Sequence, residues 1–261
     1  MFSDSIIFAF SLTFFAGISA GIGSLLCLMY KKFNPKFLGA MLGISAGVMM
    51  YVSFVEILGK AKTSLSLAFG EKLGYSYTVL GFFIGIALMI LIDKLLPHHH
   101  ETKDEEHETS DKKLLRLGMF SALALSIHNF PEGLATFISA LDDPTYGISI
   151  AFAIAIHNIP EGIAVAIPIY YATKSRKKAF TYSFLSGLTE PIGALIGYFV
   201  LLQFIDESIF GAIFASVAGM MVYISINELL PTAQEYAGKK ISTYGFIGGM
   251  FIMAVSLALF L

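Results

Sequence analysis

The chain has 261 residues, 56% of them hydrophobic and 14% charged, with a formal net charge of −2. Its mean hydropathy of +0.75 lies outside the soluble range. That balance offers no basic surface to nucleic acid, and the single cysteine, Cys27, excludes a disulfide framework or a thiolate cluster.

In chain order, apolar runs predict eight membrane-spanning helices over 5–30, 37–58, 75–96, 117–141, 146–171, 179–204, 209–230 and 243–261. The first run follows Met1-Phe2-Ser3-Asp4 with no basic n-region. It is too long for a signal-peptide core, so it reads as a helix. Trp is absent, which leaves interfacial anchoring to the 12 Tyr and 24 Phe. The second span carries Ala46-Gly47, Tyr51, Ser53, Glu56 and Leu58. Between the third and fourth spans, residues 97–115 hold His98, His99, His100 and His107 among six acidic residues. Such a stretch cannot bury an apolar core and reads as a disordered loop. Histidine-rich tracts bind metal loosely, so these four are candidate ligands of a cytosolic acceptor or sensor; a plain solvated linker is the alternative. Asp104 stands where His-Glu-x-x-His would need its second histidine.

The fourth and fifth spans each carry one copy of a phrase: His128-Asn129-Phe130-Pro131-Glu132-Gly133 and, 29 positions on, His157-Asn158-Ile159-Pro160-Glu161-Gly162. An ionisable side chain at bilayer depth costs roughly 2.5–3.5 kcal/mol, so it is functional by default. Positions i, i+1 and i+4 share a helix flank, so each imidazole, amide and carboxylate converge. Pro131 and Pro160 each free a carbonyl one turn back, which predicts kinks beside the ligands. The sixth span adds Thr189-Glu190-Pro191, another intramembrane carboxylate assigned to the same cluster. The seventh repeats the second: Ala218-Gly219, Tyr223, Ser225, Glu228 and Leu230 each lie 172 positions after their counterparts.

Charge sets the orientation. Fourteen Lys and Arg fall in or beside the connections after odd-numbered spans, and only Lys60, Lys62 and Lys72 fall on the other side. The fourteen mark the cytoplasmic face, so both termini face out and the second and seventh spans run in opposite senses. The fold class is therefore an all-α integral membrane protein. Its eight transmembrane helices form a 3+2+3 inverted repeat, the plan of transporters with a site near the midplane. The whole of 1–261 reads as one transmembrane domain. Glycines four apart (Gly39/Gly43/Gly47, Gly81/Gly85, Gly193/Gly197, Gly245/Gly249) favour close helix packing within the chain.

Nitrogen and oxygen donors without thiolates suit Zn²⁺ and also Fe²⁺, Mn²⁺, Co²⁺ or Cd²⁺. The metal candidates are His128, Asn129, Glu132, His157, Asn158, Glu161 and Glu190. Seven side chains exceed a tetrahedral set, which allows two adjacent metals sharing Glu132 and Glu161. With no cation present, at least one of three neighbouring carboxyls must hold a proton, so metal and protons compete. Met49, Glu56 and Glu228 are secondary candidates, Met49 as a soft ligand and the two carboxylates as guards of an entrance or exit.

The doubled His-Asn-x-Pro-Glu-Gly phrase, with eight helices and a histidine-rich loop after the third, resembles the ZIP (Zrt-, Irt-like) metal transporters, most of all the bacterial ZupT branch. The resemblance covers essentially the whole chain. It implies import of zinc and related divalent cations into the cytoplasm through a binuclear site, in a multi-pass protein of the cell membrane. By the same resemblance His128, Glu132, His157 and Glu161 form a first site, with Met49 as an added ligand. Asn129, Glu132, Asn158, Glu161 and Glu190 form a second. It implies an elevator-like cycle and a homodimer, with no prosthetic group. Two other classes fit the residues alone: a membrane metalloenzyme with zinc-bound water, and a metal sensor that does not transport.

Overall fold

The computed structural model describes residues 4–29, 34–95, 110–201 and 206–260, and these residues are helical almost throughout, with no strand among them. In order they form α1 (Asp4–Met29), α2 (Pro35–Val52), α3 (Leu58–Phe69), α4 (Glu71–Leu95), α5 (Ser110–Asp142), α6 (Pro144–Thr173), α7 (Arg176–Gly187), α8 (Thr189–Ile196), α9 (Glu207–Ile224) and α10 (Leu230–Phe260). Six stretches of the described residues are long and apolar enough to cross a membrane: Asp4–Leu26, Pro35–Phe69, Glu71–Lys94, Pro144–Thr173, Arg176–Val200 and Glu207–Ala258.

Local chemistry explains where these helices start, bend and stop. Asn34 and Asp206 cap α2 and α9, each side-chain oxygen accepting from the second and third N–H groups that the helix leaves unpaired. Asp143 caps α6 in the same way, with Pro144 at the first position. One π-turn, Ser53–Ile57, joins α2 to α3, and another, Ser225–Leu229, joins α9 to α10. These two turns sit 172 positions apart, as do their caps Asn34 and Asp206. A third π-turn, Gly197–Leu201, follows α8. The hairpins turn on glycines that only a residue without Cβ adopts easily: Gly70 at φ 79° between α3 and α4, and Gly238 at φ 75° inside α10.

The second and seventh spans are longer than the sequence predicts. Helix continues past Leu58 to Phe69 and past Leu230 to Gly238. Lys60, Lys62, Ser64 and Ser66 make α3 look like a loop, yet Ile57, Ala61 and Leu65 recur every fourth position and are buried. Leu65 and Ala61 pack against Gly211 of α9. Glu56 and Glu228 consequently sit at π-turns inside long helical rods, not near helix ends. Pro131 and Pro160 lie inside α5 and α6, which continue on both sides of them.

The helices fall into two groups. One contains α1, α5, α6, α7 and α8; the other contains α2, α3, α4, α9 and α10. Among the described residues their backbones approach one another only where α2 and α10 meet α6 and α9 meets α5. Within each group the pairings are reciprocal. Alpha carbons approach so closely that a Cβ on Gly162 of α6 would strike the Ala20 carbonyl of α1, and one on Gly133 of α5 would strike that of Glu190 in α8. In the other group Gly47 of α2 meets Phe246 of α10, and Gly219 of α9 meets Phe82 of α4. Every glycine pair singled out in the sequence packs inside the chain.

Candidate metal-binding site

The two groups meet around α6, and there the polar residues are buried. Asn129, Glu132, His157, Asn158, Glu161 and Glu190 are each no more than 1% exposed, in a molecule whose interior is otherwise mostly Ala, Ile, Val, Leu, Phe and small hydroxyl residues. Three buried carboxylates at roughly 2.5–3.5 kcal/mol apiece would cost on the order of 10 kcal/mol, comparable to the whole stability of a domain. Packing alone gives no reason to keep them.

The two copies of the phrase face each other. Nε2 of His157 on α6 lies 3.1 Å from Oε1 of Glu132 on α5. Asn158, next along α6, donates its amide to Glu190 on α8 and to the Ala16 carbonyl of α1 at 3.0 Å. Asn129 on α5 donates to the Ser186 carbonyl at 3.1 Å. That carbonyl is available because the chain kinks at Leu188, between α7 and α8, two residues before Glu190-Pro191. Pro191 has no N–H for the Gly187 carbonyl, and the loosened turn is satisfied by side chains: Asn129 on Ser186, and the Thr189 hydroxyl on the same oxygen at 2.6 Å. The proline-linked irregularity of the backbone thus appears in the sixth span, where it presents Glu190 to α6.

Three oxygens of the cluster, Asn129 Oδ1, Asn158 Oδ1 and Glu190 Oε2, are buried without a hydrogen-bond partner. Buried polar atoms are rarely left so, and these are oxygens of the kind that hard and borderline cations take. The donors here are joined in pairs, His157 with Glu132 and Asn158 with Glu190. Among the described residues no three His, Cys, Asp or Glu side chains are drawn together tightly enough to enclose a metal ion. His128 lies on α5 beside Asn129, but its side chain is outside the described residues, as are His98, His99, His100 and His107.

Glu161 reaches the other group of helices. The hydroxyl of Ser45 on α2 lies 3.5 Å from Glu161 Oε1 and 3.4 Å from the His157 carbonyl. Ser45 is fully buried and was not legible from sequence, where it is one small residue between Gly43 and Gly47. Met49, one turn further along α2, is fully buried in the main apolar core. Away from the cluster, the Tyr223 hydroxyl donates to Asp93 at 2.7 Å, tying α9 to α4 one turn before Glu228. On the opposite flank Lys60 of α3 sits 4.0 Å over the Tyr146 ring of α6, on the next turn after Glu56. Neither pair carries a motif that sequence spacing would reveal.

A family model described as ZIP Zinc transporter matches residues 94–257. The chain is 61% identical over 267 aligned residues to a zinc transporter ZupT of Chlorobaculum parvum, covering 99% of this chain and 100% of that one. It is 56% identical over 263 residues to a zinc transporter ZupT of Streptococcus mutans, covering 99% and 100%. With a zinc transporter ZupT of Clostridium perfringens it shares 49% identity over 278 residues, covering 99% and 98%.

Proposed function

The chain belongs to the ZIP zinc transporter family, and on that premise we propose that it imports divalent transition-metal cations, zinc foremost and iron, manganese, cobalt or cadmium besides, into the cytoplasm through a two-metal site between α5, α6 and α8. It is a multi-pass membrane protein of a transporter family, not of an enzyme family, so the metalloenzyme reading falls. The ion is cargo. His157 supplies a borderline nitrogen, Glu132 and Glu161 supply charge from opposite helices, and Asn129, Asn158 and Glu190 supply oxygens on the far side. His128 completes the set by its place in the phrase.

The observation that carries this reading is the contact between His157 and Glu132, which joins one copy of the phrase to the other inside the membrane. When a cation enters, the hydrogen bonds of His157 with Glu132 and of Asn158 with Glu190 give way to metal–ligand bonds, and protons leave as it binds. Glu190 and the unpartnered amide oxygens lie on the α1–α8 side, and Ser45 on the α2 side, so an ion held at the centre touches both groups.

Eight crossings arranged 3+2+3, with both termini outside, form the scaffold of this proposal. The described connections support it: Gly238 separates two rods within α10, and α5 is long enough to span although charged at its start. The reciprocal pairings support the two-fold relation, since α2 bears on α6 as α9 bears on α5, and α2 packs on α10 as α9 packs on α4. Sliding of the α1/α5–α8 group past the other would carry the site between faces, and the sparse joints between the groups favour it. A second copy of the chain completes the proposed assembly.

Purified protein in vesicles loaded with a metal-sensitive dye tests the site. Glu132→Ala and Glu161→Ala should abolish zinc entry, whereas deletion of residues 98–107 should leave it largely intact. Uptake that survives both carboxylate changes would remove the central site from the path.

A further inference from the structure

Away from the metal cluster, the α3–α4 hairpin holds two adjoining depressions. One of about 710 Å³ is lined by polar groups, among them Lys62, Thr63, Ser66, Glu71 and Lys72. The other, about 320 Å³, is lined by Phe54, Leu58, Val79, Phe82 and Phe83. Lys62 and Tyr75 belong to both, so polar and apolar spaces are continuous. We propose that this hairpin binds one anionic phospholipid of the phosphatidylglycerol type, its phosphate held by Lys62 and Lys72 and an acyl chain laid along Phe54, Phe82 and Phe83.

The backbone builds the groove. The π-turn at Ser53–Ile57 inserts an extra residue per turn and leaves Phe54 49% exposed beside Phe82, ring centroids 5.8 Å apart. Gly59 then leaves the floor open, since a Cβ there would meet nothing within 4 Å. At the other end Gly70 turns the chain so tightly that Gly74 lies against the Ser66 backbone, which sets Glu71 and Lys72 next to Ser66. The rod from Pro35 to Phe69 has 35 residues and so runs about 50 Å, well beyond a hydrocarbon core of roughly 30 Å. The hairpin tip therefore stands at headgroup level, with Tyr75 and Tyr77 as interfacial rings.

Charge selects the occupant. On the proposed topology, Lys62 and Lys72 are two of three basic residues on their side of the bundle. Among the described residues neither ammonium is in an ion pair, and Lys62 has only the Tyr75 ring at 6.0 Å. Two ammoniums and the Glu71 carboxylate leave one net positive charge, which matches one phosphodiester. Glu71 in turn accepts from the hydroxyls of a glycerol headgroup. An ammonium pair at the mouth of an aromatic groove is the pattern of an amphiphile's binding site, not of a flat interface between proteins.

The full chain, stripped of lipid in detergent, is mixed with phosphatidylglycerol, phosphatidylethanolamine or free glycerol 3-phosphate, and bound molecules are counted by native mass spectrometry. One phosphatidylglycerol should be retained per chain, with phosphatidylethanolamine held more weakly and glycerol 3-phosphate not at all. The Lys62→Gln/Lys72→Gln double variant should retain phosphatidylglycerol about tenfold less well. Thermal unfolding checks that it is folded, and the two single variants stand in if it is not. Equal retention of both lipids, undiminished retention by every lysine variant, or binding of glycerol 3-phosphate on its own would each overturn the proposal. So would a chain dimer lost on Phe83→Asn, which would assign the groove to a second copy. Zinc entry plays no part in the readout, so this result stands apart from that of the vesicle assay.

Discussion

The imidazole of His157 and the carboxylate of Glu132 meet at 3.1 Å across the interface of α5 and α6. Each comes from a different copy of one six-residue phrase, so the contact exists only because two antiparallel helices present the same flank to each other. His157→Gln keeps a polar side chain of similar reach but removes the nitrogen ligand. Zinc uptake in dye-loaded vesicles should fall about 10–100-fold, with thermal unfolding little changed. Wild-type uptake by this variant would take His157 off the path.

Proton competition follows from the same cluster. Carboxylates and imidazoles must lose their protons to bind a cation. Uptake should therefore decline as external pH is lowered from neutrality toward about 5 at fixed zinc. Glu190→Gln removes one titrating group and keeps one of its two oxygens, so the pH dependence of uptake should be shallower and the preference among zinc, manganese and cadmium altered. Identical pH profiles and identical metal ranking would exclude Glu190 from the site.

The glycine contacts predict where added volume is harmful. Gly162→Ala and Gly133→Ala place a methyl group against the backbone of Ala20 and of Glu190, which cannot rotate away. Each should cost about 1–3 kcal/mol of stability, read as a lower unfolding temperature in detergent. Gly248→Ala, where a Cβ meets nothing within 4 Å, should be neutral or slightly stabilising. Because Ala is the better helix former, loss at all three positions alike would show that close backbone approach does not set the effect.

Two helix caps differ in kind. Asn34→Ala should destabilise α2 by about 1 kcal/mol at any pH. Asp206 is held below the ordinary aspartate value of 3.8, first by the Ser208 hydroxyl and then by the backbone N–H of Ile209. A group with a lowered folded value stabilises the fold above its unfolded value, and that contribution is lost as pH falls through the folded one. The deficit of Asp206→Ala should thus be full at neutral pH and shrink only in strong acid, which unfolding curves across pH would reveal. A pH-independent deficit would mean that the carboxylate charge contributes nothing.

Much of this architecture was legible because the bilayer leaves so few ways to satisfy a chain. The twin phrases, Glu190 and the glycine spacings all stood out against the apolar runs, and the structure pairs His157 with Glu132 and Asn158 with Glu190. What stayed hidden depends on partners. The α3 extension looks polar until Ala61 and Leu65 are seen against Gly211. The π-turns at Ser53 and Ser225 leave no mark of their own in sequence, although the repeat that carries them does. Ser45 and the Asp93–Tyr223 pair acquire meaning only from residues more than a hundred positions away.

The glycines also say something about how the molecule can deform. Leaving aside Gly59, Gly70, Gly238 and Gly248, each glycine of the chain has its nearest neighbours within its own group of helices. Where glycine seats one backbone on another, the surfaces are keyed, and displacement of either by an ångström means collision. The boundary running past Ser45 is not where the glycines make their nearest contacts. What crosses it at Ser45 is a hydroxyl reaching the His157 carbonyl and Glu161, contacts that can be broken and remade without backbone collision.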